Sequence, residues 1–138
     1  MIKRNIIILV LLVLIFSCQP TSEDSNDDTE SNNDNNNKSS IATLSLLTLS
    51  PGTLIPDFSS NILSYDVNDA TSSTLITAAP TDTKATMGYS VNGSAYINLE
   101  ANVATDFNLH LGYNTVFIKV TAEDGSYRDY QLLIDVTL

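Results

Sequence analysis

Few residues in this chain could do chemistry, and their types narrow the choice. There is one cysteine, one histidine and no tryptophan. A lone Cys18 cannot form an intrachain disulfide or a thiolate metal site, so its use must come from its position. A catalytic triad needs a base beside a nucleophile and an orienting acid. His110 instead lies in the alternating run Phe107-Asn108-Leu109-His110-Leu111, which reads as a partly exposed strand. Asp66 with Asp69, and Glu123 with Asp124, could be carboxylate pairs for acid–base work. Both pairs fall at expected strand ends or turns, where acids serve solubility and turn geometry. No residues are expected to be catalytic or to hold a metal, and no cofactor is called for. There is no Gly-rich phosphate loop and no basic patch with interleaved aromatics. The tyrosines remain. Tyr65 and Tyr130 read as packing residues, whereas Tyr113 and Tyr127 flank turns and are the expected exposed pair, able to contact a ligand such as a glycan.

The elements that would position these residues begin at the N-terminus. Met1 to Asn5 carries Lys3 and Arg4, and Ile6 to Phe16 is an unbroken apolar run. That run is too short for a membrane span, which needs about 20 residues, and suits a signal h-region of roughly 7–15. Residues 1–17 are therefore expected to be a signal peptide. The next segment, 19–40, has no aliphatic or aromatic residue and no glycine, and is rich in Asn, Ser and acids. Such a chain cannot bury enough surface to offset its entropy, and an acidic, Asn-rich disordered tether spanning roughly 25 Å is expected over residues 18–40. An EF-hand loop needs a Gly at its sixth position, so calcium binding there is not expected.

The whole chain has 16 acidic and 6 basic side chains, a net charge of −10. Loss of Lys3 and Arg4 with the signal would make it more acidic still. That charge repels phosphate backbones and anionic headgroups, which excludes nucleic acid as an expected partner and argues against peripheral membrane binding.

From Ile41 the composition turns to Leu, Ile, Val, Thr, Tyr and Phe in short runs parted by Pro, Gly, Asn and Asp. This predicts an all-β domain over 41–138. Strands are expected at Thr43–Leu49, Ile62–Val67, Thr74–Ala79, Thr86–Val91, Ala95–Leu99, Asp106–Leu111, Thr115–Ala122 and Tyr127–Thr137. Glu123-Asp124-Gly125-Ser126 and Asn92-Gly93 are the hairpin turns, since both need a positive φ. Val120 and Ile134 are placed on the inward face of the hairpin formed by the final two expected strands.

Three resemblances follow from these residues. Leu14-Ile15-Phe16-Ser17-Cys18 resembles the lipobox of bacterial lipoproteins, with Ile15 and Ser17 at the aliphatic and small positions and Phe16 bulkier than usual. The resemblance implies cleavage before Cys18 and lipidation of its thiol, labelled in practice by palmitate. More than one acyl chain makes such an anchor stable. Glu23-Asp24 and Asp27-Asp28, just after the cysteine, resemble a surface-export signal of Bacteroidetes-type bacteria. Together these imply an outer-membrane lipoprotein of the cell envelope, with its domain displayed at the surface.

The third resemblance is to the bacterial cadherin-like β-sandwich domain. It rests on Leu44 to Leu54, Asp57-Phe58-Ser59, Leu63 to Val67, Val91-Asn92-Gly93, Leu111 to Thr115 and Val120 to Gly125. It implies an immunoglobulin-like antiparallel β-sandwich of about seven to eight strands, in a single copy ending within the final expected strand. It does not imply calcium, because the DxD triplet of true cadherins is absent. The expected function is a binding, adhesion or structural module without catalysis, with an envelope protein or glycan as partner. A carbohydrate-binding accessory lipoprotein is the alternative.

Overall fold

Alternation dictates the faces of the two longest strands. Val116, Ile118 and Val120 point one way from the strand containing them, and Tyr130, Leu132, Ile134 and Val136 do so from its neighbour; all seven are buried. The computed structural model describes residues 37–138. Signal residues 1–17, Cys18 and the tether as far as residue 36 lie outside the described residues. Nine strands form among those described: β1 Leu44–Ser50, β2 Thr53–Ile55, β3 Ser64–Asn68, β4 Leu75–Pro80, β5 Thr86–Val91, β6 Ile97–Leu99, β7 Thr105–Asp106, β8 Gly112–Thr121 and β9 Tyr127–Val136.

The strands make two sheets of a sandwich, one of order β1-β4-β7 and one of order β2-β3-β9-β8-β5-β6. Their inner faces share one apolar core, to which β1 and β4 bring Leu44, Leu47, Ile76 and Ala78. Tyr65 and Tyr130 are core residues, as expected, and their hydroxyls are used. Tyr65 donates to the Ser59 carbonyl at 2.6 Å and accepts the Ser59 N–H at 3.1 Å. Tyr130 reaches from β9 to the other sheet, accepting the Leu44 N–H at 3.1 Å and donating to the Ser60 carbonyl at 2.7 Å. Apolar surface drives this closure, and the paired hydroxyls make burial of their polar ends tolerable.

Both predicted turns form. Asn92 and Gly93 have φ of 52° and 79°, the doubly positive geometry of a tight hairpin turn. At the β8–β9 turn, Gly125 has φ 89° and the Asp124 carboxylate accepts from the Ser126 N–H and hydroxyl. Contacts with the domain begin slightly before Ile41, at Ser39. The Ser39 carbonyl accepts the Asp124 N–H at 3.1 Å, and the Ser39 N–H donates to Glu123 Oε2 at 3.3 Å. The polypeptide therefore enters the domain against the β8–β9 turn.

Three expectations need correction. The sandwich is not wholly antiparallel, because β3 pairs with β9 in parallel, Tyr65 opposite Leu132 and Val67 opposite Ile134. A strand count of nine arises partly from β2, three residues between Gly52 and Pro56 whose Leu54 packs on the core. The run Asp106–Leu111 is strand only at its first residue. Asn108 takes φ 52° and donates its N–H to the Asp106 carboxylate, which turns the chain there. Phe107 and Leu109 still point inward, and the Phe107 ring stacks on Tyr89 at 4.0 Å. Alternation reported their burial correctly and their backbone wrongly.

Candidate functional site

With one face of the six-stranded sheet covered by β1 and β4, its other face is free to meet solvent. Strand register fixes which side chains stand there. One row runs Ile55, Asp66, Leu133, Thr115 across β2, β3, β9 and β8. The next row on the same face runs Thr53, Asn68, Asp135, Tyr113. Within these rows lies a concavity of about 460 Å³, its walls including Ile55, Asp66, Asn68, Tyr113, Leu133 and Asp135. Tyr113 is 83% exposed, and Ile55 and Leu133 are exposed as well. Large apolar side chains gathered in a hollow on a sheet face mark a surface suited to binding.

Tyr113 and Tyr127 are both exposed, and both stand on this face. They do not meet. Tyr113 lies opposite Asp135 and Tyr127 opposite Thr121, eight register steps apart on the β8–β9 ladder. That separation is about 27 Å at the rise of a strand, so the two rings form no common platform. Tyr127 instead joins Tyr96, which sequence reasoning passed over. Lys119 Nζ sits 4.3 Å from the Tyr96 ring centroid and 4.6 Å from that of Tyr127, held by the negative ring faces. The Tyr96 hydroxyl donates to Asp129 at 3.0 Å, and burial with this carboxylate pushes the phenol's pKa up. Gly88 makes room for the arrangement, since a Cβ there would come 3.2 Å from the Ile97 carbonyl and 3.6 Å from the Tyr96 ring. A glycine on the outer face of a strand was the available signal for Tyr96.

His110 is exposed and sits between β7 and β8, on no strand. Its Nδ1 donates to the Leu111 carbonyl at 3.0 Å, and its Nε2 accepts from Asn92 Nδ2 at 3.0 Å. Asn92 is oriented by the Thr115 N–H donating to its Oδ1 at 2.8 Å, and buried Asn114 completes the cluster through the His110 and Gly112 carbonyls. The network ties the β5–β6 turn to the start of β8. Glu123 and Asp124 are likewise engaged. Glu123 pairs with Lys84 at 3.3 Å. The Ser126 hydroxyl and N–H hold the Asp124 carboxyl below the usual carboxylate range, and the Ser39 hydroxyl with the Lys84 N–H does the same for Asp82.

The two-layer architecture with a solvent-facing sheet is that of a β-sandwich module. A family model described as cadherin-like beta sandwich domain matches residues 32–136. The chain belongs to this family. A relative from Evansella cellulosilytica, described as "Putative membrane protein", is 39% identical over 100 residues, which are 71% of this chain and 14% of the relative. The chain thus spans about a seventh of the length of that protein. Among the described residues no helix is long and apolar enough to cross a membrane.

Proposed function

We propose that this chain is a lipid-anchored module of the bacterial cell envelope that binds a partner through the outer face of its six-stranded sheet and performs no catalysis. The observation that carries this reading is the hollow bounded by Ile55, Leu133 and Tyr113, apolar side chains exposed together on a sheet whose opposite face already has its core. Both nitrogens of the only histidine are held in a structural network, which supports binding over acid–base chemistry. The Cys18 lipobox and the membrane description of the Evansella relative support a place at the envelope, with the outer membrane and surface display as the finer part of the proposal.

A photocrosslinking residue at position 133, introduced in the native bacterium, tests the role. An adduct of defined mass is expected from position 133 and not from Thr83 in the exposed β4–β5 connection. Absence of any adduct at 133, or equal adducts at both, would refute binding by this face. A second reading, a carbohydrate-binding accessory lipoprotein, is favoured by the freely exposed Tyr113 ring. A glycan adduct at 133 would select it.

A further inference from the structure

We infer that the hollow on the outer sheet face takes a basic polypeptide segment, with Lys or Arg side chains on Asp66, Asp135 and Tyr113 and aliphatic side chains on Ile55 and Leu133. This rests on the binding role proposed above and names its partner. Charge distribution carries the argument. Among the described residues the basic side chains are Lys38, Lys84, Lys119 and Arg128. Each lies toward the end of the sandwich where the chain enters. Lys38 precedes Ser39, Lys84 bridges to Glu123, Lys119 stands between Tyr96 and Tyr127, and Arg128 is opposite Val120 near the β8–β9 turn. The hollow sits toward the other end, where β3 runs out at Asn68 and β8 begins. Its two carboxylates therefore have no basic side chain in either of their rows.

The chemistry of the walls separates the possible occupants. A second copy of this chain would bring another acidic surface, at a net charge of −10 per chain. The chain's own segment 19–36 has six acids and no basic residue, so it is repelled too. Phosphate-bearing polymers and anionic headgroups fail for the same reason. An amino sugar would satisfy the carboxylates, but stacking suits it to flat rings, and the hollow offers one ring beside two aliphatic side chains. A basic polypeptide matches all of these. Its cations meet the carboxylates and the face of Tyr113, and its aliphatic side chains cover Ile55 and Leu133.

The test is fluorescence anisotropy of the full chain in neutral detergent, using a labelled alternating Lys-Leu peptide. Alternating Glu-Leu peptide and a chitosan oligomer serve as the other probes. Saturable binding of the Lys-Leu peptide is expected, with none of the Glu-Leu peptide. Asp66→Asn with Asp135→Asn should weaken it about fivefold or more, as two exposed charge contacts are lost. Tyr113→Ala should weaken it further, whereas Glu100→Gln with Asp129→Asn, away from the hollow, should leave it unchanged. Asp66, Asp135, Tyr113 and Glu100 are exposed, so unaltered melting curves should accompany their variants, whereas half-buried Asp129→Asn loses its Tyr96 contact. The inference is overturned by absence of Lys-Leu binding, by equal loss in the two Asp-containing pairs, or by chitosan binding with the same Asp dependence in place of the peptide. A crosslinked adduct at position 133 alongside any of those results would leave the binding role standing and remove only the basic partner. Loss of both would remove the role itself.

Discussion

Tyr130→Phe isolates one polar link between the two sheets without changing the shape of the core. Tyr130 is fully buried, and its hydroxyl accepts the N–H of Leu44, which is also fully buried. Replacement strands that N–H in an apolar site, at about 1–3 kcal/mol for an unsatisfied buried donor. The Ser60 carbonyl loses its donor too, but it lies where water can reach and should add about 1 kcal/mol. The expected total of about 2–4 kcal/mol is a large share of a typical domain stability of about 5–15 kcal/mol. For a domain of this size it corresponds to a fall in Tm of roughly 10–25 °C. Tyr65→Phe is the internal comparison, because both of its hydroxyl contacts fall on the partly buried Ser59 backbone. It should cost about 1 kcal/mol. Urea unfolding followed by far-UV circular dichroism measures both, with an unchanged m-value required for the comparison to hold. A Tyr130→Phe loss no larger than that of Tyr65→Phe would refute the claim that this hydroxyl serves a donor sealed from water.

Val120 is wholly buried on β8, so Val120→Asp would bury an unpaired charge, cost several kcal/mol and abolish the cooperative melting transition; an unchanged melting curve would put the residue on the wrong face. Asp124 has its pKa lowered mainly by the Ser126 hydroxyl. A depressed carboxylate contributes stability above its ordinary pKa of about 3.9 that disappears as pH falls through the lower folded value. The Tm difference between wild type and Asp124→Asn should therefore be constant near neutrality and vanish in strong acid; a pH-independent difference would contradict it. Growth with radiolabelled palmitate should label the wild type and leave Cys18→Ala unlabelled, and equal labelling would remove the lipid anchor. Titration calorimetry with calcium should reveal no saturable site tighter than about 1 mM, the weak end of extracellular modules; a tighter site would mean the carboxylates gather in a way their present partners do not suggest.

Local chemistry was the readable part of this fold. Asn92-Gly93 and the run to Gly125 demanded positive φ and received it, and alternation in β8 and β9 identified the buried face, Val120 and Ile134 included. What failed was pairing at long range. Nothing in Ser64–Asn68 distinguishes a parallel neighbour from an antiparallel one, since either register buries Tyr65 and Val67. The error at Asn108 has another origin: Phe107 and Leu109 satisfy a strand's alternation, while a single asparagine in the left-handed region bends the backbone between them. The exposed tyrosines were found, but their separation was invisible, because distance along β8 and β9 depends on register. Tyr96 was missed because its place over Gly88 is set by a neighbouring strand.

The parallel joining of β3 to β9 bears on when the molecule can become native. β9 lies between β3 and β8 in the larger sheet, yet it is made about sixty residues after β3. Until residue 136 has left the ribosome, or the translocation channel, β2 and β3 have no sheet to join. The β8–β9 hairpin can close quickly through neighbouring residues, but docking β3 must close a long loop first. Long-range pairing of this kind places folding in the millisecond-to-second range expected of β-rich topologies. A chain exported while it is still being made would therefore cross the membrane before β3 can dock, as a matter of strand order.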